Sequence, residues 1–308
     1  MTLELGFMNY SFISKGVKVT MREVTVAATQ MVCTWDVEQN IKNAEKLIRE
    51  AANKGASIIL LQELFATPYF CQEKDAEYYD YALELEKDTA VNHFQKIAQE
   101  LKLVLPISFY EKKNNAKYNS VAVINTDGAI LGVYRKTHIP GGPGYEEKFY
   151  FHPGDTGFKV WNTTYAKIGI GICWDQWFPE GARSLVINGA EILLYPTAIG
   201  SEPHEPEVDS KNHWQIVQQG HAAANIVPIV VSNRIGKEII GDSSINFYGS
   251  SFIANHKGEK IVEADKSTQC IITAKFDLDE IDTYRKFWEV FIDRRPEMYN
   301  SIVLPNNE

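Results

Sequence analysis

The chain has 308 residues and a formal net charge of −9 at pH 7. This acidic balance argues against a nucleic-acid partner, because nucleic-acid-binding proteins carry basic surfaces. Hydrophobic residues make up 44% of the chain and charged residues 23%, which is typical of a soluble globular protein. The sequence contains no run of about 18 apolar residues, so we expect no membrane-spanning segment.

The four cysteines show no C-x-x-C pair, so they predict neither a zinc site nor a disulfide framework. They are Cys33, Cys71, Cys173 and Cys270. The N-terminus has polar residues within every candidate apolar core and therefore shows no signal-peptide pattern. Both features favour a reducing compartment, and we expect a cytoplasmic protein.

The first 20 residues have no clear hydrophobic period, and a cleaner pattern begins at Met21. Either Met21 is the physiological start of the protein, or residues 1–20 form an ordered extension. No Pro-, Ser- or Gly-rich linker divides the remainder, so we expect residues 21–308 to form a single domain.

Apolar residues recur at helical or strand spacing along this domain. Asp36 as N-cap, with Gln39 at the third helical position, predicts the start of a first helix, and Gly55 predicts its end. The sequence Asn125-Thr-Asp-Gly128 predicts the turn of a β-hairpin. Further helices are predicted at residues 91–101, 181–188 and 214–224, and strands at 24–28, 58–61, 104–109, 119–124, 130–134, 168–172, 192–195, 227–232, 251–254, near 261, and at 270–276.

Strands and helices thus alternate, with hairpins between them, which favours an α/β layered fold around a mixed sheet. From about residue 280 the pattern becomes irregular, with aromatic and basic residues at 284–288 and 293–296. We interpret this C-terminal tail as a packing or oligomer contact.

Cys173 lies where the predicted strand 168–172 ends, just before a turn that leads into a helix at Pro179. A thiol at the end of a strand is held rigidly and stays accessible, as a nucleophile requires. The alternative is a structural cysteine, although a buried structural thiol lies more often in the middle of a strand. The position of Cys173 by itself does not decide between them.

Two charged residues end other predicted strands. Glu63 follows a run of apolar residues, where a carboxylate is costly unless it is paired or used. Lys136 follows the hairpin, where a solvated lysine is the ordinary interpretation. If both converge on Cys173, Glu63 can take the thiol proton and Lys136 can stabilise charge on an attacked oxygen. The alternative for Glu63 is a structural salt bridge.

In this order and these contexts, Glu63, Lys136 and Cys173 resemble the Glu–Lys–Cys triad of the nitrilase, or carbon–nitrogen hydrolase, superfamily. The resemblance covers about residues 22–300 and excludes the first 20. Longer runs make it far more specific than a triad alone. These runs are YRKTHIP (134–140), GPGYEEKFYF (142–151), GICWDQWFPE (171–180), YPTAIGSEP (195–203), SNRIG (232–236) and DRRP (293–296).

The resemblance implies an α/β fold of the α-β-β-α four-layer sandwich type, which associates through a helical face into a homo-oligomer, a dimer or higher. It implies hydrolysis of a non-peptide C–N bond with no cofactor and no metal. In the roles that it implies, Glu63 is the general base, Lys136 is the oxyanion cation and Cys173 is the nucleophile.

Two further catalytic groups are implied by the same resemblance. The backbone N–H of Trp174 is the second oxyanion donor. Of the adjacent Glu146 and Glu147, the family pattern Gly-Tyr-x-Glu-Lys-Phe assigns Glu147 as the second glutamate near the thiol.

Within the superfamily, the longer runs imply a cationic small-molecule substrate, N-carbamoylputrescine, and neither a nucleic-acid nor a membrane partner. The ammonium group of this substrate needs a carboxylate at the far end of a narrow slot. Glu202 is the candidate, because it lies on a loop that leaves a predicted strand; the alternative is a solvated acidic loop. Tyr69 and Trp177 are candidate walls for the aliphatic stem, or else core aromatics.

Other functions are compatible with the sequence. The chain could be an amidase, a nitrilase or a hydrolase of other N-carbamoyl amines or amino acids, or a catalytically silent binding or assembly protein. The intact Glu63, Lys136 and Cys173 count against a silent protein. A catalytic histidine, with His138 and His152 nearest the motifs, is not needed when Glu63 is the base.

Overall fold

The computed structural model describes residues 22–304, so the predictions for residues 1–20 and Met21 lie outside the described part. The strands are β1 (Glu23–Gln30), β2 (Ile58–Leu60), β3 (Leu105–Lys113), β4 (Ala116–Ile124), β5 (Ile130–Arg135), β6 (Val160–Asn162), β7 (Lys167–Ile170), β8 (Ile192–Pro196), β9 (Ile229–Ser232), β10 (Ile235–Ile240), β11 (Ser243–Tyr248), β12 (Phe252–Ala254), β13 (Lys260–Glu263) and β14 (Cys270–Asp277). The α-helices are α1 (Val37–Asn53), α2 (Thr89–Leu101), α3 (Glu147–Tyr150), α4 (Pro179–Ile187), α5 (Lys211–Asn225) and α6 (Leu278–Trp288).

The strands form two large mixed sheets and one separate hairpin. In the first sheet, β14, β1 and β2 are neighbours, and a single parallel bridge between Ile58 and Val104 links them to β3, β4 and β5. The second sheet has the strand order β13-β12-β9-β8-β7-β6. The hairpin consists of β10 and β11. Parallel neighbours such as β7, β8 and β9 require helical crossovers, which α4 and α5 supply.

Within residues 22–304, three hydrophobic clusters form layers that place the helices on the outside, and a fourth cluster includes Tyr69 and Phe247. Residues of both sheets, such as Val26 and Ile170, pack face to face in the central layer. Helices α1 and α2 cover the other face of the first sheet, with Leu47 and Phe94 buried against it. Helices α4 and α5 cover the other face of the second sheet. The predicted α-β-β-α sandwich is therefore confirmed.

Helix α1 shows how local sequence sets these layers. The side chain of Asp36 accepts a hydrogen bond from the N–H of Gln39 at 2.9 Å, which confirms the predicted N-cap. The chain leaves the helix through Gly55, whose φ of +86° is favourable for glycine. Between these ends, the buried side of the helix is formed by Asn40, Ile41, Ala44, Leu47, Ile48 and Ala51.

Several parts of the chain differ from the sequence-based expectation, among them β6 and α3, where no element was predicted. The irregular tail expected from about residue 280 is wrong for 278–288, because these residues form helix α6. Asp277 explains this helix, since its carboxylate accepts from the N–H groups of Asp279 and Glu280. The hairpin of β10 and β11 was not predicted, because Glu238 is buried while Ile239 is 64% exposed, opposite to the usual pattern.

No helix within residues 22–304 is long and apolar enough to cross a membrane.

Candidate active site

Three strand ends bring the predicted triad together between the two sheets. Glu63 follows β2, Lys136 follows β5 and Cys173 follows β7. Glu63 and Lys136 have no exposed surface, and Cys173 is 6% exposed. The first two come from one sheet and the thiol from the other, so packing of the sheets is what assembles the site.

Glu63 has one carboxylate oxygen occupied and one free. Oε1 accepts hydrogen bonds from Lys136 Nζ at 2.8 Å and from Asn119 Nδ2 at 2.6 Å. Oε2 is buried and has no partner among the described residues. A buried acceptor without a donor is uncommon, and here it leaves a position that can receive a proton.

Lys136 lies between two carboxylates, because Nζ also donates to both oxygens of Glu147, at 2.8 and 2.6 Å. Burial by itself would lower the pKa of Lys136, but Glu147 and Glu63 outweigh it and hold the pKa well above its usual range. Burial raises the pKa of Glu147 to about 7, with Lys136 opposing the shift and Glu63 adding to it. Lys136 is therefore a fixed cation with a carboxylate on each side.

Cys173 starts a five-residue turn of 3₁₀ helix, Cys173–Trp177. Its φ is +43°, in the left-handed region that costs a non-glycine residue energy and that recurs at functional sites. Sγ lies 3.7 Å from the carbonyl oxygen of Ala198. Burial, followed by the charge of Glu63, raises the pKa of the Cys173 thiol well above its usual range, although Lys136 lowers it. The resting thiol is thus neutral and needs a base before it can attack.

Trp174 is the second residue of that turn, where backbone N–H groups have no partner inside the helix. The Trp174 N–H also has no backbone acceptor outside this turn within residues 22–304, which is compatible with the oxyanion role predicted from the sequence. The indole of Trp174 is 40% exposed, and it lines the cavity in front of Cys173.

Asp175 ties the turn to the segment that carries Lys136, and its role was missed at the sequence level. Oδ2 accepts from the N–H of Ile172 at 2.9 Å and from the hydroxyl of Tyr134 at 2.7 Å. Oδ1 accepts from the N–H of His138 at 2.9 Å and lies 2.7 Å from Nδ1 of the same residue. The signal available in the sequence was a carboxylate two residues after the thiol.

Two of the three predicted substrate residues lie around a cavity of about 400 Å³ that opens onto Cys173 and Glu147. Glu202 and Trp177 both line it, as predicted. Burial raises the pKa of Glu202, which is half-buried. The cavity is lined by Pro140, Gly141, Gly142, Pro143, Tyr145, Glu147, Cys173, Trp174, Gln176, Trp177, Ala198, Ile199, Glu202, His204, Glu205 and Ser210.

Tyr69 lies elsewhere than predicted. It is fully buried, it is not among the residues that line the cavity, and its hydroxyl donates to Glu147 Oε1 at 2.6 Å. The neighbouring ring of Tyr145, whose centroid is 5.8 Å from that of Tyr69, does line the cavity. Tyr69 therefore contacts Glu147 from within the core, so the structure agrees with the alternative of a core aromatic and not with a wall for the aliphatic stem.

The choice between the two adjacent glutamates agrees with the geometry. Glu147 contacts Lys136, whereas Glu146 forms an ion pair with Lys74 at 3.2 Å.

His138 has its ring stacked on Phe178 with centroids 3.7 Å apart, next to Asp175. Within the described part of the chain, no group of three or more His, Cys, Asp or Glu side chains is arranged to hold a metal ion.

Comparison with known proteins identifies the family to which a protein with this site belongs. Residues 25–286 match the carbon-nitrogen hydrolase family, so the chain belongs to that family and is a hydrolase of carbon–nitrogen bonds. The carbon-nitrogen hydrolase from Helicobacter pylori G27 superposes with a TM-score of 0.87 at 36% sequence identity, over 92% of this chain and 100% of that one.

Two curated relatives are still more similar in sequence. The chain is 55% identical to N-carbamoylputrescine amidase of Arabidopsis thaliana over 286 residues, covering 92% of this chain and 96% of that protein. It is 52% identical to citrullinase of Francisella tularensis over 283 residues, covering 92% of this chain and 99% of that protein. The resemblance found in the sequence is thereby confirmed at the level of the family.

Proposed function

We propose that the protein hydrolyses N-carbamoylputrescine to putrescine, carbon dioxide and ammonia. The observation that carries this proposal is that Cys173 and Glu202 line one cavity. A ureido group can lie at the thiol while an ammonium group lies at the carboxylate. The similarity to plant N-carbamoylputrescine amidases supports the same substrate.

In the first half of the reaction, Glu63 Oε2 takes the proton of Cys173, and the thiolate attacks the ureido carbonyl carbon. The carbonyl π electrons move to the oxygen, where Lys136 Nζ and the Trp174 N–H stabilise the negative charge. Glu63 then returns its proton to the terminal nitrogen. That C–N bond breaks, ammonia leaves, and a thiocarbamate remains on Cys173.

In the second half, water loses a proton to Glu63 and attacks the thiocarbamate carbon. The C–S bond breaks and the sulfur of Cys173 regains its proton. The product, a carbamic acid, decomposes to putrescine and carbon dioxide. Glu147 keeps Lys136 in place through both halves, because its two oxygens accept from Nζ.

Citrulline is the second candidate substrate, because one of the similar proteins is a citrullinase. It has the same ureido group and ammonium as N-carbamoylputrescine, with an additional carboxylate. Glu202 and Glu205 line the cavity, and none of its described lining residues is a lysine or an arginine. The carboxylate of citrulline would therefore lie near the negative charges of Glu202 and Glu205, which favours N-carbamoylputrescine as the substrate.

The decisive experiment measures ammonia release from N-carbamoylputrescine, citrulline, carbamoyl-β-alanine and a simple nitrile, with the native enzyme and with Cys173→Ala. We expect the highest kcat/KM for N-carbamoylputrescine and no turnover by the variant. A higher kcat/KM for citrulline would assign the enzyme to amino acids, and activity of Cys173→Ala would overturn the mechanism.

We further propose that two copies associate through the face formed by α4, α5 and the C-terminal segment. A cavity of about 710 Å³ lies between these elements, and the residues around it include Ile187 and Tyr299. Several large apolar side chains of the segment are exposed, among them Ile292 at 75% and Val303 at 80%. Light scattering should give at least a dimer, and Val303→Asp should weaken it. A native monomer would exclude this interface.

The cytoplasmic location predicted from the sequence stays a proposal. It is supported by four free cysteines, of which three are buried.

A further inference from the structure

One sequence run that carries the family resemblance, residues 232–236, has no part in the chemistry proposed above. Its arginine, Arg234, is fully buried. One guanidinium nitrogen donates to the carbonyl oxygens of Glu63 and Leu64, at 2.7 and 3.1 Å. The other donates to the carbonyl of Thr67 at 3.3 Å and to Glu238 Oε1 at 2.7 Å. Arg234 thus holds the backbone of the turn that presents Glu63.

That turn needs holding, because Leu64 has a φ of +47°. A non-glycine residue in the left-handed region persists only where its surroundings determine it. The guanidinium supplies two donors to consecutive carbonyl oxygens, and the rigid fork of Arg fixes their relative position. The direction in which the Glu63 side chain leaves the turn is set by these contacts.

The acid partner of Arg234 reaches the other glutamate of the site. Glu238 Oε2 accepts from the backbone N–H of Tyr69 at 2.5 Å. The hydroxyl of Tyr69 donates in turn to Glu147 Oε1 at 2.6 Å. The guanidinium also lies over the rings of Tyr69 and Phe247, at 5.9 and 5.3 Å from their centroids.

These contacts close a ring. It runs from Arg234 through Glu63, Lys136, Glu147, Tyr69 and Glu238, and from Glu238 back to Arg234. We propose that the ion pair of Arg234 and Glu238 is a positioning device that fixes both carboxylates around Lys136. The inference rests on the proposed roles of Glu63 and Glu147 in catalysis.

The pair acts through other residues, because neither Arg234 nor Glu238 lines the cavity. The energetics of buried ion pairs also indicate that this pair positions other groups more than it stabilises the fold. Replacing a buried ion pair by packed apolar residues is often neutral or stabilising, so such a pair is weak as a source of stability. A displacement of about 1 Å at a reacting group, in contrast, lowers a rate on the order of 100-fold.

The first test compares Arg234→Lys with a matched control, Arg285→Lys. Arg285 donates from Nε and a terminal nitrogen to the carbonyl of Ile226, which also has a positive φ, +50°. Neither residue lines the cavity or contacts the residues of the ring described above. For N-carbamoylputrescine we expect Arg234→Lys to lower kcat on the order of 100-fold with little change in KM. The control should keep kcat, whatever its melting temperature.

The second test measures the fall of kcat/KM at acid pH in two charge variants. If the pair had only a structural role, the two substitutions would not shift this acid limb of the pH profile in opposite directions. Arg234→Gln removes a positive charge next to Glu63 and should shift the limb to higher pH. Glu238→Gln removes a negative charge and should shift it to lower pH. Glu238→Gln is isosteric and keeps an acceptor for Tyr69, so it decides the matter if the arginine variants do not fold.

The outcomes separate this inference from the proposed function. If Cys173→Ala is inactive while Arg234→Lys keeps its kcat per folded molecule, the proposed function stands and the positioning role is wrong. The same holds if both charge variants leave the acid limb unmoved. If Cys173→Ala is active, the proposed function fails and the basis of the inference is lost with it. Reduced kcat at constant KM, with opposite shifts of the acid limb, supports the positioning role.

Discussion

Lys136 Nζ lies 2.8 Å from Glu63 Oε1, while Oε2 of the same carboxylate has no hydrogen-bond partner within residues 22–304. One oxygen therefore anchors the cation and the other is available to a proton. Since Asn119 also donates to Oε1, at 2.6 Å, two donors fix which oxygen is free. A base held in this way can face a neutral thiol without losing its salt bridge.

Replacing Cys173 with Ser should abolish turnover. A serine hydroxyl is a far weaker acid than a thiol, so a carboxylate such as Glu63 cannot generate the alkoxide. The variant should keep the melting temperature of the native enzyme within a few degrees, because the change is small. Ammonia release and thermal unfolding measure the two effects. Substantial residual activity would remove Cys173 from the role of nucleophile.

The thiol should titrate differently when its charged neighbours change. Burial first, and then Glu63 and Glu147, raise the pKa of Cys173, whereas Lys136 lowers it. Glu147→Gln should therefore lower the thiol pKa and Lys136→Met should raise it further. The pH dependence of alkylation by iodoacetamide, read at Cys173 by mass spectrometry, measures both. Half-buried Cys270 serves as the control thiol, and its alkylation should not change. Equal profiles at Cys173 in all three proteins would contradict the arrangement.

Glu202→Gln should raise KM for N-carbamoylputrescine and leave kcat nearly unchanged. A hydrogen bond to a charged group contributes about 1.5–3 kcal/mol, which corresponds to roughly 10- to 150-fold in affinity. Because burial raises the pKa of Glu202, native KM should also rise as pH falls through that pKa. Glu207→Gln, an exposed change on the same loop outside the cavity lining, is the matched control. An unchanged KM would return Glu202 to a solvated loop.

Residues that carry chemistry were predictable from the sequence, while those that position them largely were not. Glu63 and Lys136 stood out because charges at the ends of apolar strands need an explanation. The sequence left two alternatives for Tyr69, because nothing local distinguishes a cavity wall from a buried hydrogen-bond donor. The role of Glu238 was not predicted, because its contact with Arg234 keeps this charged residue buried in β10 while the neighbouring Ile239 is exposed. Contacts between distant segments set these roles, and spacing along the chain does not report them.

Asp175→Asn should reduce both stability and turnover. The carboxylate accepts from Ile172, Tyr134 and His138, and an amide has only one oxygen to offer them. Leaving buried donors unsatisfied costs about 1–3 kcal/mol. Because these contacts join the Cys173 turn to the Lys136 segment, kcat should fall as well. Denaturant unfolding and steady-state kinetics measure the two losses. Asp155→Asn, an exposed partner of Arg135, should change neither; a loss of the same size there would mean that Asp175 has no special role.

The chain that carries Lys136 is packed against Gly154, whose N–H donates to the Lys136 carbonyl at 2.8 Å. A methyl group on Gly154 would overlap the carbonyl oxygen of Arg135 and come within 2.7 Å of that of Lys136. Gly154→Ala should therefore cost about 1–3 kcal/mol, as overpacking does, and it should lower kcat by displacing Lys136.

Gly220→Ala is the control for this substitution. Gly220 lies within α5, and an added methyl group there meets nothing within 4 Å. Removing a glycine from a helix interior stabilises by roughly 0.5–1 kcal/mol. The two changes of the same chemistry should thus have opposite effects on the free energy of unfolding. If Gly154→Ala kept native kcat and stability, the backbone at Lys136 would be more tolerant of displacement than the geometry of the salt bridges allows.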